Sequence, residues 1–187
     1  MPSLTGKAQT VLGAIAGDAM GVTLPHEHLF IDFKVMFVEP TEGSEKGLAY
    51  QPVTLENLGW VRHNFNSNLD NLRLLDEQTA EDEIRLFARA GGQTVVDPTN
   101  WSLARDPLAL ARIARATGLN IIMGCGYYVS AAHPADMEHR TVDRIARDIV
   151  ADVRARGDAA VVEYTRRFDR REVAGVAELE VSRARLR

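Results

Sequence analysis

The apolar positions of this chain change their period several times, and each change predicts an element. Residues 10–15 and 21–28 are apolar, β-branched stretches that read as two strands around an Ala16-Gly17-Asp18 turn. A polar connection rich in Glu, Gly and Pro runs from Glu39 to Pro52, after which Thr54 is placed to cap a helix from Leu55. From Glu77 to Ala90 the residues Ala80, Ile84, Phe87 and Ala88 share one side of a helix, which Gly91-Gly92 stops. Thr94 to Asp97 is a short apolar strand. Asp106-Pro107 supplies an N-cap followed by proline at the first helical position, and Leu108, Leu110, Ala111, Ile113 and Ala114 form the stripe of the helix that Gly118 closes. Asn120 to Gly124 is a further buried strand. From Thr141, residues Val142, Ile145, Ala146, Ile149, Val150 and Val153 keep helical spacing up to Gly157.

Strands that alternate with helices predict parallel βαβ units and an α/β fold. Three strands are expected in that sheet, 21–28, 94–97 and 120–124, with the first of them central.

Chemistry concentrates at the end of the first. His26 and His28 stand two residues apart, and in a strand such positions project from one face, so both imidazoles can aim at one point. Neutral imidazole is a common zinc ligand, and the ends of parallel strands are where sites are built. Either histidine taken singly is also compatible with a core position, and two ligands do not hold a metal by themselves.

Five blocks in register extend this pattern. Val22-Thr-Leu-Pro-His26-Glu-His28-Leu-Phe-Ile-Asp32, Asn68 to Asp76, Ala90 to Asp97, Arg105 to Arg112 and Ala116 to Tyr128 together resemble the phosphotriesterase family of the amidohydrolase superfamily. The resemblance runs from about residue 10 to about residue 150. It implies a metal-dependent (β/α)8 or TIM barrel in which two divalent ions, usually zinc, activate water against an ester or lactone. By the same resemblance His26 and His28 match the first-strand metal pair, Tyr128 matches an aromatic position that lines the substrate pocket, and Asp97 is placed to orient a ligand from behind.

Length limits what can be carried over. A (β/α)8 barrel typically takes about 250 residues, and this chain has 187. The expectation is therefore a truncated, partial barrel over residues 1–150, its first three strands, with a helical tail over 151–187. The tail resembles the amino-terminal segment of histidinol dehydrogenase, and it also reads as an ordinary pair of helices around Gly157-Asp158. The family's remaining metal ligands come from later strands. All three lysines, Lys7, Lys34 and Lys46, precede the second barrel strand, so a bridging lysine has no candidate and a full binuclear site is not expected. His63, His133 and His139 fall in a helix or loops. His133 is a candidate third ligand, and a histidine before Pro134 also reads as an exposed turn residue.

Charge and cysteine content remove other classes. Residues 1–150 hold 13 basic and 19 acidic side chains and residues 151–187 hold nine and seven, a net −4 that argues against a nucleic-acid partner. The single Cys125 excludes an intramolecular disulfide, and no stretch has the length and apolarity of a signal or membrane helix, so a cytoplasmic protein without a membrane partner is expected. Two functions remain. One is a zinc-dependent hydrolase of small-molecule esters or lactones. The other is a non-catalytic fusion or truncation product, at most a weak metal-binding or assembly module that self-associates through an exposed sheet edge.

Overall fold

The structure, a computed structural model, describes residues 5–149. Its centre is a three-stranded parallel sheet built from β3 (Thr23–Leu24), β6 (Thr94–Asp97) and β7 (Asn120–Met123), in the order β3-β6-β7. Helix α3 (Glu77–Arg89) connects β3 to β6, and α4 (Pro107–Thr117) connects β6 to β7. The chain is α/β with parallel βαβ units, as its periodicity predicts. The histidine strand, however, lies at an edge and β6 is central. Each crossover adds the next strand beside the last, so the first strand of such a series stays at one end.

Both helices follow from their sequence. The Asp76 carboxylate accepts from Thr79 N–H at the start of α3, and Asp106 accepts from Leu108 and Ala109 N–H at 3.0 Å ahead of Pro107. Gly118 ends α4 in the left-handed conformation, φ 75°. Ala80 and Ile84 from α3, Ala109, Leu110, Ile113 and Ala114 from α4, and Val95 and Ile121 from the sheet form one core with Leu29 and Phe30. Val95 and Ile121 are fully buried. Their neighbours Val96 and Ile122, which alternation turns to the opposite face, are half-buried.

The amino-terminal expectation needs correction. Residues 10–15 do not form one strand: β1 (Lys7–Thr10) and β2 (Gly13–Ala16) make an antiparallel hairpin that turns at Val11-Leu12. The Thr10 hydroxyl closes that turn, donating to the Gly13 carbonyl and accepting from Leu12 N–H. Regular pairing of β3 also stops at Leu24, short of the expected His28. Pro25 has no N–H to donate, and the chain returns to β6 through Glu27 N–H, which donates to the Val96 carbonyl at 3.0 Å.

The polar connection is more structured than its composition suggests. It holds α1 (Gly43–Lys46), and around it lie β4 (Ile31–Asp32), α2 (Leu58–His63) and β5 (Arg73–Leu74), with β4 and β5 paired antiparallel at the base of this larger insertion. Helix α2 begins at Leu58, not Leu55, because Asn57 Oδ1 accepts from Thr54 N–H and holds that stretch as a turn. Asn68, fully buried, donates to the carbonyls of Leu48 and Gln51 and ties the insertion together.

Residues 142–149 are helical, with Thr141 Oγ1 accepting from Arg144 N–H. The expected helical tail over 151–187 and its likeness to histidinol dehydrogenase lie outside the described residues. Among the described residues no helix is long and apolar enough to cross a membrane.

Candidate metal centre

His26 and His28 flank Glu27, the residue whose N–H is held by β6. Their rings meet edge to face, centroids 5.2 Å apart and planes at 82°. His26 is exposed, whereas the His28 side chain is 29% exposed and turned into the protein on one side.

That buried side is organised by the end of β6. His28 Nδ1 lies 2.7 Å from Thr99 Oγ1, and the same hydroxyl donates to the Phe30 carbonyl at 2.9 Å. A hydroxyl has one proton to give. With that proton on Phe30, Thr99 accepts from His28 Nδ1–H, and the lone pair of the neutral ring is left on Nε2. Burial holds the His28 imidazole below its ordinary value, with the nearby Asp97 charge pulling it the other way. The neutral ring is the form that binds a cation.

Asp97 is buried behind this contact, its side chain 1% exposed. Its Oδ1 accepts from Thr99 N–H at 2.9 Å and its Oδ2 from Leu29 N–H at 3.2 Å, while Oδ1 stands 4.0 Å from His28 Nδ1. The direct hydrogen bond to the imidazole is thus made by Thr99, and Asp97 holds the backbone on both sides of it. Burial raises the Asp97 carboxyl above the usual range, partly offset by the hydrogen bonds from Thr99 and Leu29.

Tyr128 follows the carboxyl end of β7 and is 41% exposed, its ring packed on Phe33 with centroids 5.7 Å apart. His133 is engaged by its own loop: Nε2 lies 3.0 Å from the Tyr128 carbonyl and the ring packs on Tyr127. His139 stands beside Glu138 on the surface, and His63 ends α2. Among the described residues no three His, Cys, Asp or Glu side chains gather closely enough to hold a metal ion.

Thr99 was not singled out by the sequence pattern. Its signal was slight, a hydroxyl residue two positions beyond the strand-ending Asp97.

The whole sequence bears on what this pair belongs to. A model of the phosphotriesterase family matches residues 6–158. The chain belongs to the phosphotriesterase family. It is 39% identical over 154 residues to an N-acetyltaurine hydrolase of Salmo salar, a match that covers 82% of this chain and 44% of the relative. The human N-acetyltaurine hydrolase is 34% identical over the same length. Among solved structures, a resiniferatoxin-binding protein from Rhodobacter sphaeroides is similar with a TM-score of 0.77 and 38% identity, covering 80% of this chain and 42% of that one. The phosphotriesterase homology protein of Escherichia coli, solved with phosphate in its active site, gives a TM-score of 0.51 at 25% identity over 72% of this chain and 36% of that one. The chain spans less than half the length of the curated relatives it matches.

Proposed function

We propose that this chain carries the first-strand metal-ligand pair of a phosphotriesterase-type hydrolase, and that its 187 residues taken alone bind one divalent ion weakly and turn over little or no substrate. The observation that carries the reading is the contact of His28 Nδ1 with Thr99 Oγ1 at 2.7 Å, beside the His26 ring; an Nε2 left free by that contact would be the one to accept an ion. Zinc is the expected ion because imidazole nitrogens suit it and a structural or catalytic site takes at least three protein ligands, of which this pair is two. When bound there, such an ion would supply Lewis acidity toward a carbonyl or phosphoryl oxygen and acidify water. The protein's own part is to hold two imidazoles beside a strand end, with Asp97 fixing the backbone behind His28 and Tyr128 lining the approach.

The substrate class proposed is a small ester or lactone, with the acyl group of N-acetyltaurine added by the relatives' name. The three-stranded sheet is read as the opening of a (β/α)8 barrel over residues 1–150. A weak metal-binding or assembly module is the second reading, favoured by the absence of a third ligand among the described residues and by β3 lying at a sheet edge.

Titration of the purified chain with zinc against a competing chelator, alongside His26→Ala and His28→Ala, tests the pair. Weak binding that either substitution abolishes is expected, together with hydrolysis of a phosphotriester, a lactone and N-acetyltaurine no faster than free zinc achieves. Turnover well above that background, lost in both variants, would sink the proposal of an incompetent chain. No zinc binding at all would remove the metal centre.

A further inference from the structure

The two ring nitrogens of His28 differ in their surroundings, and Nδ1 faces the hydroxyl of Thr99. Thr99 is fully buried, and its hydroxyl sits between two groups with fixed demands. The Phe30 carbonyl, 2.9 Å away, can only accept, so the single hydroxyl proton is directed to it. The oxygen then faces His28 Nδ1 at 2.7 Å as an acceptor. The opposite arrangement, with the hydroxyl proton on Nδ1, would set two acceptor oxygens 2.9 Å apart inside the protein with no hydrogen between them, which is unfavourable.

We propose that Thr99 is a positioning residue for the metal centre, fixing His28 as the Nδ1–H tautomer so that Nε2 carries the lone pair. The inference rests on the metal-binding reading above and deepens it. Thr99 N–H donates to Asp97 Oδ1, and Asp97 is held in turn at two further points: its other carboxylate oxygen accepts from Leu29 N–H beside the histidine, and its carbonyl accepts from Gly124 N–H at 2.6 Å. The end of β6, the histidine segment and the end of β7 therefore share one clamp. The hydroxyl is its contact with the ring. A ligand ring whose far nitrogen is anchored loses less freedom on coordination and is held in the tautomer the ion needs.

The test uses the full chain, metal-free, with nitrogen-15 in its histidines, and long-range proton–nitrogen correlation spectra in which His28→Ala identifies the His28 signals. The wild type and Thr99→Ser are expected to show His28 as the Nδ1–H tautomer. Thr99→Val, which keeps the shape and deletes the hydroxyl, is expected to release the ring toward Nε2–H and to weaken zinc binding about 10- to 100-fold, while Thr99→Ser keeps both properties. An Nε2–H tautomer in the wild type overturns the inference whether or not the valine variant folds. So does wild-type zinc affinity in a Thr99→Val chain with native circular dichroism. If the wild type shows the Nδ1–H tautomer and takes up no zinc, the metal reading fails and the positioning role goes with it, whereas a wrong tautomer sinks the role of Thr99 alone.

Discussion

Asp97 carries a carboxyl that water barely reaches, and this makes one side chain a source of pH dependence for the whole chain. Its folded-state pKa lies above the ordinary value of 3.8 because burial penalises the charge more than its hydrogen bonds restore. The unfolded chain therefore releases this proton first as pH rises. The stability present below 3.8 is lost as pH climbs from there through the raised folded value. Urea unfolding of metal-free wild type and Asp97→Asn between about pH 4 and pH 7 should show the wild type losing ground against the variant as pH rises. A difference that stays flat or moves the other way would place the charge in a better-solvated setting than the structure gives it. The residue types were legible beforehand. Two histidines at i and i+2 and an aspartate closing a strand stand out because strand ends in parallel sheets gather side chains at one end. Thr99 did not stand out, because a buried hydroxyl in a loop has no period to betray it and acquires its meaning from Phe30 and His28, about 70 positions away.

Where local signals agreed with one another, the elements fell where the pattern put them. Strand β6 starts and ends at the predicted residues, and α4 combines an aspartate cap, a proline at its first position and a glycine stop. Asp106→Ala removes the acceptor for two backbone donors and is expected to cost about 1 kcal/mol of stability, measurable as a lowered denaturation midpoint with an unchanged slope. A loss below the error of that measurement would mean that the first turn of α4 is held by packing alone. A second element-level constraint lies at Gly124. A Cβ there would fall 2.5 Å from the Pro98 carbonyl oxygen, which is backbone and has little room to move. Gly124→Ala should force the ends of β6 and β7 apart, destabilise the chain by about 1–3 kcal/mol and weaken zinc binding through the Asp97-Thr99 clamp. Unaltered zinc affinity in that variant would show that the clamp is not needed. The elements that depart from the apolar pattern have a common cause. The hairpin turn at Val11-Leu12, the late start of α2 and the order inside residues 39–72 are all fixed by side-chain hydrogen bonds to backbone, from Thr10, Asn57 and Asn68. An apolar pattern carries no record of such bonds.

At the scale of the molecule, the described residues bury one face of the sheet more completely than the other. Helices α3 and α4 pack on the side of Val95 and Ile121, which are fully buried, while Val96 and Ile122 on the other side are half-buried and β3 and β7 are the outermost strands. Parallel sheets are found almost always with both faces covered, because their strands are apolar on both sides and their edges offer unpaired backbone groups. A chain left with such a face gains by burying it, at about 25 cal/mol for each Å² of apolar surface removed from water. Self-association at high concentration is the outcome this predicts for the isolated 187 residues, and sedimentation velocity over a concentration series would detect it as a rising sedimentation coefficient. Ile122→Lys places a charge on the open face without touching the helix-side core. It should shift the population toward monomer while leaving the circular dichroism spectrum unchanged. If the wild type sediments as a monomer at every concentration, the open face is covered in solution by the chain itself, and the reading of the sheet as the exposed opening of a barrel fails. If the wild type associates and Ile122→Lys associates as strongly, contact runs through another surface, and the apolar sheet face is not what drives it.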